Sequence, residues 1–514
     1  MSGSRWRRER RWRIVGTLVL LAGIAHPGAQ ADLWLAPDGG ASHAAQEALA
    51  LLAAAPTEGL RSDAYGAAPL AAAGGRLREA APDEIARFQR ELTAAMSRYL
   101  RDVHAGRIDP RELGFQLDVP RDDHDFEALV AGAARTDTVR ALAASFRPPY
   151  PQYQRLIEAL ARYRVMSAAA YAAPAPDVQG AVRSGDRGPA VAWIRARLTA
   201  LGDADPGPHA ADAETFDPSL EAAVQRFQRR HGLDADGVVG AGTFAALRVP
   251  VAARVAQIEL ALERLRWLPH QRHARVIVIN IPMFQLWGWN GTPAAGDPAF
   301  QTGVIVGRAV STRTPVMAKA IRDVVFRPYW NVPRSIVLGE IRPALAANPE
   351  YLLDNDMELV QGDGDGAPVV EVSPENLERL WRGDLRVRQR PGPRNALGLV
   401  KFVFPNDENV YMHATPAQAL FGRARRDFSH GCVRVQDPVA LAEWVLAGEP
   451  GWTRERILEA MGGSDTQVVR LAEPIDVLLF YTTTVVAGDG TVRFAEDIYG
   501  HDARLQRALG SMEP

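Results

Sequence analysis

At 514 residues the chain is too long for a single hydrophobic core and implies about three domains. Hydrophobic residues make up 47% and charged residues 23%, which excludes both a disordered and a membrane-embedded chain. The 59 Lys and Arg nearly balance the 61 Asp and Glu, so no basic field points to nucleic acid, and none is expected as a partner.

One stretch departs from that balance. The six arginines from Arg5 to Arg13, set against Glu9, put +5 on the first 31 residues; with −2 overall, the remainder carries −7. An apolar run, Ile14 to Ala25, and then Ala29-Gln30-Ala31 follow. A basic region, a short apolar stretch and small residues two apart predict a secretory signal over 1–31, cleaved after Ala31. The run falls short of the about 20 residues a membrane span needs, and an uncleaved anchor is the competing reading. Arg10-Arg11 suggests twin-arginine export, but Arg13 sits where that signal wants an apolar residue. Either way the bulk of the chain is expected outside the cytoplasm.

Residues 32–171 read as a helical scaffold. Ile85, Phe88, Leu92, Met96, Tyr99 and Leu100 recur at mostly three- and four-residue steps, which predicts a helix with one apolar face, and Tyr153–Tyr163 repeats the pattern. Ala172-Ala173-Pro174-Ala175-Pro176 has no periodicity and marks a linker over 172–180. Residues 181–249 form a small unit. Val191, Ile194, Leu198 and Leu201 mark one helix face, Leu220, Val224 and Phe227 a second, and a short third helix is expected around Thr243–Leu247 after the turn signals Gly232, Asp236-Gly237 and Gly240. This unit resembles the three-helix peptidoglycan-binding domain through Val182–Gly188, Ala223–Leu233 and Asp236–Gly240. It departs at Ile194-Arg195, where a Leu-Gln pair is common, and a structural spacer is the competing reading.

From about 275 the texture changes. Arg275–Ile281, Thr302–Val306, Leu399–Phe404, Asn409–His413 and Val433–Val435 are short β-type runs, and Ile475–Val486 and Thr491–Phe494 flank the hairpin signal Gly488-Asp489-Gly490. Clear helical patterns interrupt near Arg334–Leu345 and Pro438–Leu446. The expectation is a mainly β catalytic domain over 250–500 with a helical insertion at 327–395, and a multidomain α+β chain as a whole.

Cys432 is the one cysteine, so no internal disulfide is possible. Strand alternation puts Tyr411 and His413 on the face away from Val410 and Met412, and His413 is expected to be both fixed and accessible at its strand end. Ser429-His430-Gly431 supplies the turn before Cys432, with Gly431 allowing close approach of a ligand to the backbone. A thiol of pKa about 8.5 needs a nearby imidazole to raise its thiolate fraction; His413 and His430 are both available, with Arg434 as a fixed positive charge. Zinc binding by His413, His430 and Cys432 lacks an evident fourth ligand. Ser429 lacks a nucleophile elbow, and a structural cysteine remains the bland reading. A thiol nucleophile assisted by histidine fits the pattern best, with no metal and no cofactor.

His413-Ala414-Thr415 and Ser429-His430-Gly431-Cys432-Val433-Arg434 together resemble the signature of the L,D-transpeptidases, the YkuD family. The likeness extends to Tyr329-Trp330-Asn331-Val332-Pro333, to Arg390–Asn406 and to Arg98–Pro110, as in the large periplasmic members from Gram-negative bacteria. Ala414 stands where many relatives have glycine. The resemblance implies that Cys432 attacks the bond joining the third residue of a tetrapeptide stem to its terminal D-alanine, releasing D-alanine. An amine of a second stem then resolves the thioester into a third-to-third cross-link. It further implies His413 as base, oriented by the Ala414 carbonyl, and an oxyanion hole at Gly431 and Cys432. Ser429, His430, Arg434, Tyr329, Trp330 and Asn395 are expected to bind substrate, with residues 327–395 as a capping subdomain. The implied setting is a periplasmic monomer working on stem tetrapeptides and the sacculus, with other cell-wall enzymes as further partners. Hydrolysis of the thioester, as in an L,D-carboxypeptidase, or a wall-binding scaffold that turns over little, are the alternatives.

Overall fold

A computed structural model describes residues 33–117, 124–166, 174–178, 180–205, 213–268, 273–291 and 298–511. The expected signal segment lies outside them, as do Ala172, Ala173 and Gln179 of the expected linker. None of the described helices is long and apolar enough to cross a membrane.

The helix expected over Ile85–Leu100 runs from Pro82 to Ala105. The Glu84 carboxylate accepts the Ala81 N–H at 3.0 Å and closes the first turn. Phe88, Leu92, Met96, Tyr99 and Leu100 bury in a core shared with helices His43–Ala54, Phe126–Thr136 and Val139–Ser145. The helix stops at Gly106, where φ is +79° and an added Cβ would sit 2.6 Å from Trp267 Nε1. Just beyond, the N–H groups of Arg107 and Ile108 donate to the buried Glu263 carboxylate at 2.5 and 3.2 Å. The motif Arg98–Pro110 is thus a docking joint onto the helix Val251–Leu265.

The helix expected over Tyr153–Tyr163 runs from Pro151 to Val165 but belongs to a different core. Tyr153, Leu156, Leu160 and Tyr163 pack with Ile258, Leu262 and the catalytic strands, as do Ile108, Leu113 and Phe115. Parts of the helical scaffold are therefore walls of the catalytic body.

The middle unit has its three helices at Pro189–Ala200, Pro218–Arg230 and Ala241–Arg248 around their own core. The departure at Ile194-Arg195 has a structural account. Ile194 is fully buried in that core, and Arg195 pairs with Asp217 at 2.8 Å while donating to the Thr215 carbonyl. Asp217 also caps the second helix through the Leu220 N–H at 2.8 Å.

The strands in chain order are β1 Arg275–Asn280, β2 Gln285–Asn290, β3 Phe300–Gly307, β4 Met317–Phe326, β5 Trp330–Asn331, β6 Met357–Val360, β7 Val369–Val370 and β8 Arg386–Gln389. They continue with β9 Val400–Val403, β10 Met412–His413, β11 Asp427–Ser429, β12 Val433–Val435, β13 Gln467–Phe480, β14 Thr484–Val486 and β15 Val492–Phe494. The main sheet has the order β11-β3-β12-β10-β9-β4-β13-β1-β2, and β2 also pairs with β3, so the sheet returns on itself like a barrel. Apolar side chains such as Ile277, Ile279, Val304, Phe402, Met412 and Val433 fill one continuous core. The hairpin expected around Gly488-Asp489-Gly490 is formed by β14 and β15.

The insertion holds the expected helix near Arg334–Leu345, broken by a π-turn at Val337–Ile341. It also carries a four-stranded sheet, β5-β8-β6-β7, and a further helix, Pro374–Arg382, which the sequence patterns did not reveal. Strands of two to four residues are too short to display alternation. Val332, Ile341, Leu352, Leu359, Leu380 and Val387 give this insertion its own small core.

Candidate active site

Three adjacent strands of the main sheet build the site. In the parallel pair β10–β12, His413 lies opposite Arg434; in the antiparallel pair β10–β9, it lies opposite Lys401. Residues directly opposite share a face, so Lys401, His413 and Arg434 form a row across the sheet, two residues along from Cys432 and on its face. Tyr411 precedes them on the same face, its ring 5.7 Å from the His413 ring and 4.6 Å from Lys401 Nζ.

His413 is 4% exposed, a correction to its expected accessibility. Its Nδ1 lies 2.5 Å from the Ala414 carbonyl. A carbonyl only accepts, so Nδ1 carries the proton and Nε2 keeps its lone pair. Burial holds the imidazole pKa down to about 3, with the Arg434 and Lys401 charges adding to the depression. The resting imidazole is neutral.

Cys432 is half-buried, and its Sγ lies 3.7 Å from the Asn409 carbonyl. Asn409 has φ +54°, a left-handed turn that aims this carbonyl toward the thiol. Burial pushes the thiol pKa up; Tyr411, through its backbone and hydroxyl, and the charges of Lys401 and Arg434 oppose that rise. Burial and the nearby sulfur push the Tyr411 hydroxyl up as well.

The turn before Cys432 is held from inside. Ser429, 2% exposed, donates its hydroxyl to the Cys432 carbonyl at 2.6 Å and accepts the Gly431 N–H at 3.2 Å. Gly431 has φ +113°, and its carbonyl accepts from Thr314 Oγ1 at 2.7 Å. Two expectations change here. Ser429 is a clamp on the loop, with its hydroxyl engaged by the backbone, and not a substrate contact. The Gly431 amide already has a partner, whereas the Cys432 N–H has none among the described residues and is the open donor beside the thiol.

His430 Nε2 lies 2.6 Å from the Glu340 carboxylate, which stands on the π-turn of the insertion, and 3.5 Å from Arg308. The insertion is thereby clasped to the loop that precedes Cys432. Arg434 is half-buried with its Nε unpartnered, and burial together with the Arg308 charge lowers its pKa. Arg308, Lys401 and Arg434 make the surroundings of Cys432 cationic.

Of the other expected substrate contacts, Asn395 is architectural, while Tyr329 and Trp330 are partly exposed at the root of the insertion. Asn395 is 1% exposed; its Nδ2 donates to the carbonyls of Pro328, Gln389 and Arg390, and its Oδ1 accepts the Leu397 N–H. It ties together the two ends of the insertion. The Tyr329 ring lies 4.4 Å from the Arg388 guanidinium, and Trp330 packs on the insertion core as part of β5. Lys401, Asn409 and Glu340 were missed by sequence reasoning, and Tyr411 was placed on the His413 face without a role. Lys401 left a trace as the single charge in the apolar run Leu399–Phe404.

Among the described residues, one cluster has the spacing of a metal site, His43, Glu47 and Asp137 in the N-terminal helical part. His43 is already bonded to Asp137 and Glu47 to Arg140, and the cluster includes none of the residues around Cys432.

Against known families, residues 274–454 match the L,D-transpeptidase catalytic domain YkuD, residues 187–247 the "Putative peptidoglycan binding domain" and residues 29–160 a scaffold domain. The chain carries a YkuD-family L,D-transpeptidase catalytic domain. A Haemophilus influenzae protein named "Putative L,D-transpeptidase" is 31% identical over 252 residues, 49% of this chain and 49% of that protein. The chain thus spans about half the length of that relative. The N-acetylmuramoyl-L-alanine amidase CwlM of Mycobacterium tuberculosis is 47% identical over 75 residues, 13% of this chain and 18% of that protein. A solved L,D-transpeptidase fragment from Xylanimonas cellulosilytica shares 16% identity, covers 59% of this chain and all (100%) of its own, and has a TM-score of 0.17. The L,D-transpeptidase domain matched in this way contains β1 to β12 and the whole insertion.

Proposed function

We propose that this protein is a cysteine L,D-transpeptidase that joins the third residues of neighbouring peptidoglycan stems. The observation carrying this reading is the bond from His413 Nδ1 to the Ala414 carbonyl, which leaves Nε2 as a base on the strand beside Cys432. Nε2 takes the thiol proton as Sγ attacks the carbonyl between the third residue and D-alanine. The Cys432 N–H stabilises the oxyanion, and such a donor is worth about 3 kcal/mol. An imidazolium placed between Lys401 and Arg434 is costly, so the proton moves on to the departing amine, and the C–N bond breaks with loss of D-alanine. An amine from a second stem then attacks the thioester, its proton passing to Nε2 and on to the thiolate as the C–S bond breaks. Arg308, Lys401 and Arg434 suit the stem carboxylates. Residues 181–249 hold the chain on the sacculus, and export through residues 1–31 places it in the periplasm.

Purified tetrapeptide stems or sacculi incubated with the full chain test the reading by muropeptide mass analysis. Third-to-third dimers and free D-alanine are expected, and Cys432→Ala should yield neither. Tripeptides without dimers would make the enzyme an L,D-carboxypeptidase. N-terminal sequencing of native protein should begin at Asp32.

A further inference from the structure

On the outer face of the sheet, away from the Cys432 row, lies a cavity of about 870 Å³. Its floor is the solvent-side face of β4, β13, β1 and β2, where Ala320, Asp476, Val276 and Trp289 fall in one register row and Ala318, Leu478, Val278 and Trp287 in the next. One wall is the start of the helix Pro151–Val165, and another is the β14–β15 hairpin. The Gln152 amide meets both the N–H and the carbonyl of Val486, at 2.6 and 2.9 Å, and locks these two walls together.

Three features of this cavity point to one kind of ligand. Trp287 and Trp289 are alternate residues of β2, both partly exposed, and present two indoles about 7 Å apart along one face. Arg155, Arg322 and Arg493 line the same cavity, and none of the three has an ion-pair partner among the described residues. Among the described lining residues the one carboxylate, Asp476, is engaged by the His273 ring at 2.6 Å and its N–H at 2.9 Å. At the base, Asn280 is 1% exposed and its Nδ2 has no partner. Indole faces stack on the C–H faces of pyranose rings, unpaired cations attract carboxylates, and a spare amide donor suits a sugar oxygen.

We infer that this cavity binds a carboxylate-bearing polysaccharide, the glycan strand of peptidoglycan where its stems have been removed, beside but apart from the peptide site. The inference rests on the transpeptidase reading for the choice of polymer. Where a stem is attached the sugar carboxyl is an amide, so the form this cavity selects is bare glycan, and the cavity gives the catalytic body a hold on stem-free stretches of the wall, independent of residues 181–249.

The test uses the full chain and soluble glycan chains stripped of stem peptides, which keep a carboxylate on every second sugar. Calorimetry should give saturable binding that weakens with salt. Trp287→Ala with Trp289→Ala should weaken it at least tenfold, and Arg155→Glu with Arg322→Glu should weaken it several-fold and flatten the salt dependence. Both variants should keep the wild-type rate of Cys432 acylation by a carbapenem and the wild-type melting temperature. Glycan affinity unchanged in both variants overturns the inference, as does absence of binding by the wild type. Sedimentation with anionic phospholipid vesicles that the same variants abolish, with glycan affinity intact, would assign the cavity to lipid and overturn it too. Failure of the wild type to acylate would sink the transpeptidase reading alone, because glycan binding is read separately.

Discussion

His413 and Arg434 stand directly opposite each other across the parallel pair β10–β12, an imidazole facing a permanent cation. With Lys401 opposite on the other side, the histidine occupies a position where a second positive charge is disfavoured. In the proposed mechanism such a histidine accepts a proton only in transit. That suits a reaction in which the same proton leaves with an amine.

Arg434→Gln removes the second-largest cause of that depression. The His413 pKa should rise from about 3 yet stay below 6.5, because burial is the largest cause and is retained. Titration of the His413 ring by NMR measures this. A value unmoved from the wild type would remove Arg434 from the account.

The Cys432 thiol is raised by burial, so the resting enzyme holds a thiol and a neutral imidazole and not an ion pair. Alkylation by iodoacetamide should therefore increase with pH up to and beyond 9, with no plateau near neutrality. Tyr411→Phe removes a contact that favours the thiolate and should slow alkylation at pH 8 roughly fivefold, the equivalent of about 1 kcal/mol. A plateau below pH 7 would contradict the neutral pair.

His231, His413 and His501 are all held below the ordinary histidine value, chiefly by burial, His413 to about 3 and His501 to about 4. Between those values and about 6.5 the unfolded chain binds protons that the folded chain refuses, so stability falls as pH falls through that window. His413 alone accounts for on the order of 5 kcal/mol across it. Asp102, raised to about 6 by burial, acts with the opposite sign but is one group against three. Melting temperatures at pH 7.5, 6, 5 and 4 should descend steadily, and His413→Gln should make the descent shallower. A flat profile would contradict the buried neutral histidines.

The sequence made Cys432 and His413 legible because a short motif and strand alternation are local properties. It also made the three-helix unit and the β14–β15 hairpin legible, each written in a periodicity or a turn signal. Ser429 and Asn395 were misread for a common reason. Short polar side chains bond to whatever backbone lies near, and for Asn395 one such carbonyl, Pro328, lies 67 positions away. The Lys401–His413–Arg434 row depends on strand register, which distant pairing sets and local pattern does not. The helix Pro151–Val165 shows an apolar face in sequence, but nothing in that face says which core it will join.

Ser429→Ala should leave the Gly431 N–H without its buried acceptor and release the Cys432 carbonyl. A loss of about 1–3 kcal/mol in stability is expected, together with slower acylation and a substrate KM near wild type. A variant with normal acylation and a raised KM would restore Ser429 as a substrate contact.

Asn395→Ala should act on the insertion as a whole. Hydrogen exchange should rise across residues 328–395 while the main sheet keeps its protection, since the insertion has its own core and Asn395 ties its ends. A change confined to substrate affinity would contradict this placement.

The shared core has a practical consequence for anyone who wishes to isolate the catalytic machinery. A fragment cut at the beginning of the transpeptidase match would leave behind Ile108, Phe115, Tyr153, Leu156, Leu160 and Tyr163, all buried against residues it retained. It would lose the helix Val251–Leu265 as well, and with it Glu263, which anchors the N–H groups of Arg107 and Ile108. The smallest autonomous enzyme is therefore discontinuous in sequence. Excision at the family boundary should give an aggregating fragment with exposed apolar walls, and any minimal version must begin upstream of Ile108 and carry the middle unit as a passenger.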